Sequence, residues 1–412
     1  MPLRGCLSLV LVGLLMFGGL SLAQEDAAPK AKERTPAKDA APAEDAVPAQ
    51  DTVPSQDTAP ATGGTAKFDE LFEQWKGIIK GLRKLRTEYT NAKPEDAKAV
   101  EQKWKELIAQ GTALLPQLRA EALTAYASAP SVDPQLQRFL LKAAQDSLDV
   151  DDYEVAYEIA KTMLDRSESD KAPAPKELYG IAGVAAFFTN QYDAAEKYID
   201  QAKQAGAWKE QEFNKSGIPI ETSIEKYKGL WATEQKVREE EAKADDLPRV
   251  KLTTSAGTIV LELFENEAPD TVGNFISLVE SDFYNGLKFH RVLPHFMAQG
   301  GDPKGNGSGG PGYTIYDEVD KPNYRRHFRG SLSMAKTPAP DTGGSQFFLC
   351  FTPQESLDGK HTVFGRVIEG MDVLARIQRV DPEKPGGVEP TVIEKAEVVR
   401  KRDHKYLPRK VE

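Results

Sequence analysis

The hydrophobic period of this chain changes once, near Val250, and that change demands two folded regions of different class. Upstream, Phe68, Leu71, Phe72, Trp75, Ile78, Ile79, Leu82 and Leu85 recur at the three- and four-residue steps of one helix face. Downstream, Thr258-Ile259-Val260-Leu261-Glu262-Leu263 follows a turn at Ser255-Ala256-Gly257 and alternates with period two. One layer cannot satisfy both patterns. At 412 residues the chain also exceeds an ordinary single domain.

The helical region divides further. A second helix is expected from Pro94-Glu95-Asp96, where proline and acids suit a first turn, with Val100, Trp104, Leu107, Ile108, Leu114 and Leu115 on its apolar side. Pro116 is expected to kink or end it. Leu140 to Leu164 and Tyr179 to Ala202 each read as helix, short polar turn and helix. Their turns, Asp152-Tyr153-Glu154-Val155-Ala156 and Gln191-Tyr192-Asp193-Ala194-Ala195, align, with Ala144 and Gly183 at matching places upstream. The pair resembles tetratricopeptide-type repeats, although the full motif is missing. Such repeats leave a concave surface suited to peptides or proteins, and a spacer or dimerisation unit is the competing reading. The charged run from Glu234 to Asp246 reads as a solvated face at the junction between regions.

The first 23 residues read as a cleaved export signal. Arg4 precedes an apolar run from Leu7 to Leu20, broken by Gly13, Gly18 and Gly19, and Ser21-Leu22-Ala23 offers small residues for cleavage. The run is short for an anchor, so no stable membrane insertion is expected once it is removed. Residues 24–66 place Pro36, Pro42, Pro48, Pro54 and Pro60 at six-residue intervals among alanines and acids. That composition cannot offset its ordering entropy by burial and reads as a disordered, extended tether. Acidic residues outnumber basic ones by ten, which argues against a nucleic-acid partner. Cys6 falls in the signal, leaving Cys350 without an internal partner; beside Phe348 it reads as a small buried hydrophobe.

Within the alternating region, Phe289-His290-Arg291-Val292-Leu293-Pro294-His295-Phe296-Met297-Ala298-Gln299-Gly300-Gly301 concentrates a guanidinium, an amide and bulky apolar groups. A turn near Pro294 would present Arg291 and Gln299 beside Phe296 and Met297. Taken alone, the stretch reads equally well as a core strand with a solvated arginine. Helices are expected at Pro269 and from Met371 to Ile377, and strands at Leu332-Ser333-Met334, Phe347-Phe348-Leu349, Val363 to Val367 and Val392 to Val399. Many strands with two helices suit a closed, capped barrel. His290 and His295 lack the carboxylates or thiols of a metal site.

Three further blocks complete the pattern. They are Ser345-Gln346-Phe347-Phe348-Leu349-Cys350, Leu357-Asp358-Gly359-Lys360-His361-Thr362-Val363-Phe364-Gly365 and the loop Gly309-Gly310-Pro311-Gly312-Tyr313. In order and spacing, Val250 to Lys401 resembles the cyclophilin family of peptidyl-prolyl isomerases, with a loop typical of bacterial members. The resemblance implies eight antiparallel strands with a helix at each opening. It also implies that Arg291 donates to the twisted prolyl nitrogen and that Gln299 orients it. Phe296, Met297, Phe348 and Leu357 would line the proline pocket, His361 would stand at its rim, and Ala335 and Gln346 would bind the peptide chain. No cofactor or metal is implied. Lys336 stands where the family usually has asparagine, the loop Thr337 to Gly344 is one residue longer, and Ser356 replaces a common tryptophan or phenylalanine.

The expected organisation is therefore a signal at 1–23, a proline- and alanine-rich linker at 24–66 and a helical region at 67–246. An isomerase-type antiparallel barrel at 249–402 and a tail at 403–412 complete it. The expected function is an exported isomerase of the periplasm or cell envelope of a bacterium. It would assist the folding of proline-containing clients, with the helices holding clients or partners. An inactive scaffold and a structural envelope protein are the alternatives. A fragment from about Asp246 to Glu412 carries every motif residue and is expected to fold and act on short peptides alone.

Overall fold

The computed structural model describes residues 65–128, 133–384 and 389–411. The expected export signal, Cys6 and the five repeat prolines lie outside them. Helix α1 (Ala66–Asn91) buries the same eight apolar residues that set its period in the sequence. Helix α2 (Pro94–Ser128) does not end at Pro116 but runs through it. The second half of α2 buries Leu118, Ala122, Ala125 and Tyr126. That packing outweighs the roughly 3 kcal/mol that an interior proline costs a helix.

Two helix pairs follow, α3 (Pro134–Asp149) with α4 (Tyr153–Ser169) and α5 (Glu177–Phe188) with α6 (Tyr192–Gln204). Their turns are the same device used twice. Asp151 and Asn190 both take left-handed backbone, φ 67° and 62°, which acids and amides tolerate better than most residues. In each turn the tyrosine two residues on donates to that side chain, Tyr153 to Asp151 at 2.9 Å and Tyr192 to Asn190 at 3.0 Å. Gly183 is required by close packing, because a Cβ there would lie 2.7 Å from Ile199.

A short helix α7 (Glu210–Phe213) leads to α8 (Ile220–Ala244), which ends in left-handed Asp245. Here the charged run departs from the sequence expectation. Glu234 and Glu241 are buried, because both face arginines of the following region. Arg325 donates to Glu234 at 3.0 and 2.6 Å and also bonds Glu241, while Arg366 reaches Glu241 at 2.8 Å. Phe328 packs edge-on against Trp231 of α8, centroids 5.1 Å apart, and belongs to the helical core. Arg329 forms a bidentate pair with Glu154 of α4 at 3.0 and 2.7 Å. Breaking these pairs would leave Arg325, Glu234, Glu241 or Arg329 as an unpaired interior charge, whereas Glu154 is 40% exposed.

Eight strands follow: β1 (Arg249–Thr254), β2 (Gly257–Leu263), β3 (Arg291–Leu293), β4 (Met297–Gly300), β5 (Ser331–Met334), β6 (Phe347–Cys350), β7 (Val363–Glu369) and β8 (Ile393–Arg400). They form one curled antiparallel sheet in the order β3-β4-β6-β5-β7-β2-β1-β8. Its two outer strands meet through short links rather than a full ladder. Phe289 N–H donates to Thr391 at 2.9 Å and Ile393 N–H to Leu287 at 2.8 Å. Helix α9 (Pro269–Glu280) buries Val272, Phe275, Ile276 and Val279 in the enclosed core, and α10 (Met371–Arg376) adds Val373 and Leu374. Phe275, Tyr284, Phe347 and Phe364 interlock there at centroid distances of 5.1–5.6 Å.

Candidate active site

The site is built on the hairpin β3–β4. Arg291, Val292 and Leu293 pair with Gln299, Ala298 and Met297. Alternation sends Val292 and Ala298 into the barrel core and leaves the other four residues on the opposite face. His295, at φ 59°, closes the turn. Register extends the row across the sheet, because Gln299 is opposite Phe348 and Phe348 is opposite Ser333. Arg291, Gln299, Phe348 and Ser333 therefore stand side by side on four neighbouring strands.

An apolar cluster separate from the barrel core borders this row. It consists of buried Met297, Phe348 and Cys350, with partly exposed Leu293, Phe296, Ala335 and Leu357 packed against them. The Arg291 guanidinium lies 5.6 Å from the Phe296 ring centroid, and its Nη1 is 3.9 Å from the Met297 sulfur. Every other arginine from Arg249 onward is ion-paired, whereas Arg291 makes no ion pair among the described residues.

The polar wall is a relay of amides. Gln299 Nε2 donates to Gln346 Oε1 at 2.9 Å, and Gln346 Nε2 donates to the carbonyls of Gly307 and Gly309 at 3.0 and 2.9 Å. Gln299 is thus tied to Gln346, and its link to Arg291 is backbone register. The Gln346 carbonyl accepts from Ala335 N–H at 2.9 Å. His361 stands edge-on to Phe348, centroids 5.8 Å apart, with Nδ1 3.0 Å from the Met334 carbonyl. Burial holds its pKa below the ordinary histidine value. The Leu357 carbonyl accepts from His361 N–H at 3.1 Å, which joins the two residues at the rim. All the residues singled out in the sequence are therefore linked around one cluster.

One feature of the site carried no expectation. His327 stacks on Phe348 with planes 4° apart, its Nδ1 2.8 Å from Asp358 and its Nε2 2.9 Å from Ser333. The signal available was Arg325-Arg326-His327-Phe328-Arg329, three cations and two rings just ahead of β5. Lys336 turns its ammonium to Asp317 at 2.9 Å and to the Ala339 carbonyl at 3.0 Å, so it is not a free charge at the peptide edge. Burial pushes the Cys350 thiol well up, away from nucleophile chemistry. Among the described residues, no group of three or more His, Cys, Asp or Glu side chains is placed to hold a metal ion.

Comparison with known proteins gives one consistent result. Residues 249–398 match the family described as cyclophilin type peptidyl-prolyl cis-trans isomerase/CLD. A peptidyl-prolyl cis-trans isomerase of Helicobacter pylori is 50% identical over 147 residues, 35% of this chain and 88% of its own. One of Synechococcus elongatus is 55% identical over 115 residues, 28% of this chain and 77% of its own. A solved cyclophilin type isomerase of Cryptosporidium parvum is 32% identical, covering 37% of this chain and 97% of its own, with a TM-score of 0.35.

Proposed function

The chain belongs to the cyclophilin-type peptidyl-prolyl cis-trans isomerases, and we propose that Arg291 drives the rotation, on exported clients held by the helical region. The observation that carries this reading is the Arg291 guanidinium, without an ion pair among the described residues, beside a satellite apolar cluster. A planar X-Pro amide resists rotation by roughly 18–20 kcal/mol because twisting destroys resonance. In the twisted state the prolyl nitrogen is pyramidal and carries a lone pair. An Arg291 N–H aimed at it bonds the transition state and neither planar form, which is differential binding. No covalent bond forms and no proton is transferred.

The remaining groups hold the peptide. The proline ring occupies the cluster of Phe296, Met297, Phe348 and Leu357, with His361 at its rim. Gln299, Gln346 and the edge at Ala335 take the flanking backbone. The planar geometry of the arginine fork suits a fixed donor.

The signal-like first 23 residues support export to a bacterial periplasm or envelope, and the paired helix-turn-helix units support holding of unfolded clients. The direct test is protease-coupled isomerisation of a proline tetrapeptide by the whole chain. A folded but inactive protein would favour a binding scaffold.

A further inference from the structure

We propose that Asp151, in the first helical turn, is a positioning residue for the catalytic hairpin; this rests on the isomerase reading of Arg291. Asp151 is fully buried, and its carboxylate is shared among groups of the barrel. His295, at the tip of the β3–β4 hairpin, donates its backbone N–H to Asp151 Oδ1 and Oδ2 at 3.1 and 3.2 Å. Its ring Nδ1 lies 2.8 Å from Oδ1. Arg379 donates to Asp151 Oδ2 at 2.6 Å and to the Val150 carbonyl at 2.7 Å.

These contacts reach both ends of β3. Val380, next to Arg379, exchanges backbone hydrogen bonds with Val292 at 2.7 and 3.0 Å, beside Arg291. The His295 carbonyl accepts from Thr352, and the Phe296 carbonyl accepts from Phe351 N–H at 2.9 Å. One buried carboxylate thus fixes the turn that precedes Phe296 and the segment that flanks Arg291. Left-handed His295 gives the turn a backbone that a glycine-poor hairpin holds only under outside constraint.

The second helical copy supplies the comparison. Asn190 occupies the same point of the same turn and satisfies its tyrosine equally well, so the turn itself does not need a carboxylate. The charge at 151 is explained by the hairpin and Arg379. Placement errors of about 1 Å at a reacting group cost up to a hundredfold in rate.

The experiment compares the whole chain with Asp151→Asn and Asn190→Ala, on a proline tetrapeptide. We expect Asp151→Asn to lower kcat about tenfold and to raise KM less, because Met297, Phe348 and Leu357 stay in place while Arg291 and the turn before Phe296 shift. Asn190→Ala, which disturbs only the second turn, should keep the wild-type rate. A folded Asp151→Asn with wild-type kcat would overturn the proposal, as would an equal loss in Asn190→Ala. Should Asp151→Asn not fold, hydrogen exchange in the wild type decides. The His295 amide should be as protected as that of Ala298, and free-loop exchange would overturn the assignment. An inactive wild type would instead sink the isomerase reading.

Discussion

Phe348 and His327 stack with parallel rings, 5.8 Å between centroids, so the buried side of the apolar cluster at the site rests on an imidazole. That imidazole is held between Asp358 and Ser333, and the residues around it, Arg325 and Arg329, are held by the helical region. The cluster is thereby supported from beyond its own barrel.

A fragment from about Asp246 onward tests that support. Its strands and motif residues alone predict autonomy. Loss of Glu154, Glu234 and Glu241, however, takes the Glu154 pair from Arg329 and leaves Arg325 with only the longer contact to Glu267 at 3.9 Å. The fragment should melt below the barrel in the whole chain and turn over a proline peptide roughly tenfold more slowly. Matching melting temperature and kcat/KM would restore the independent barrel.

Arg291→Ala should leave the fold intact, since the side chain contributes no ion pair among the described residues. A hydrogen bond to a charged group is worth about 1.5–3 kcal/mol, and each 1.36 kcal/mol is tenfold in rate. Turnover should therefore fall about ten- to a hundredfold, with peptide affinity changed less. Arg291→Lys should recover little, because a point charge lacks the planar fork. Steady-state kinetics beside circular dichroism measures this, and equal rates would remove the assignment.

Acid should loosen the grip on the hairpin. Burial raises the Asp151 pKa, but His295 and Arg379 outweigh it and hold it at about 2, below the ordinary 3.8. A carboxylate with a depressed folded pKa stabilises fully above its unfolded value and loses that contribution as pH falls through the folded one. Glu234, buried and also held down by Arg325, acts in the same sense. Asp146, pushed up to about 6 by burial, acts in the opposite sense. Melting temperature should thus fall more steeply from pH 4 to pH 2 for the wild type than for Asp151→Asn. Parallel curves would contradict this.

Ser356 lies exposed on the 3₁₀ turn Glu355–Leu357 beside the pocket. Without an aromatic donor there, cyclosporin should bind weakly, by on the order of 1–3 kcal/mol in lost contacts. Nanomolar inhibition of the whole chain would exclude that effect.

The sequence made the elements legible wherever a residue's role is set by its neighbours in the chain. The eight apolar residues of α1 are one such case, and the Arg291–Gln299 pairing across a short turn is another. Roles set by distant partners were not legible. Glu234 and Glu241 sit in a run that is indistinguishable from a solvated face until Arg325 is brought against it. Asp151 and Asn190 look like equivalent turn residues, and only the hairpin separates them. Pro116 shows the same limit for packing, because local chemistry predicts a break that the burial of Leu118 and Tyr126 overrides.

Phe328 carries a consequence for anyone who would transplant these parts. It comes from the segment leading into β5, yet its ring completes the helical core against Trp231. A chimera joined near residue 249 would cut the chain between regions but would cut the packing through its middle. A relative's barrel without an aromatic at that point would leave a ring-sized void under α8, which a Phe328→Ala variant reproduces at a cost of about 3–5 kcal/mol. The workable seam for a graft therefore follows the Arg325–Arg329 segment and takes it along with the helices.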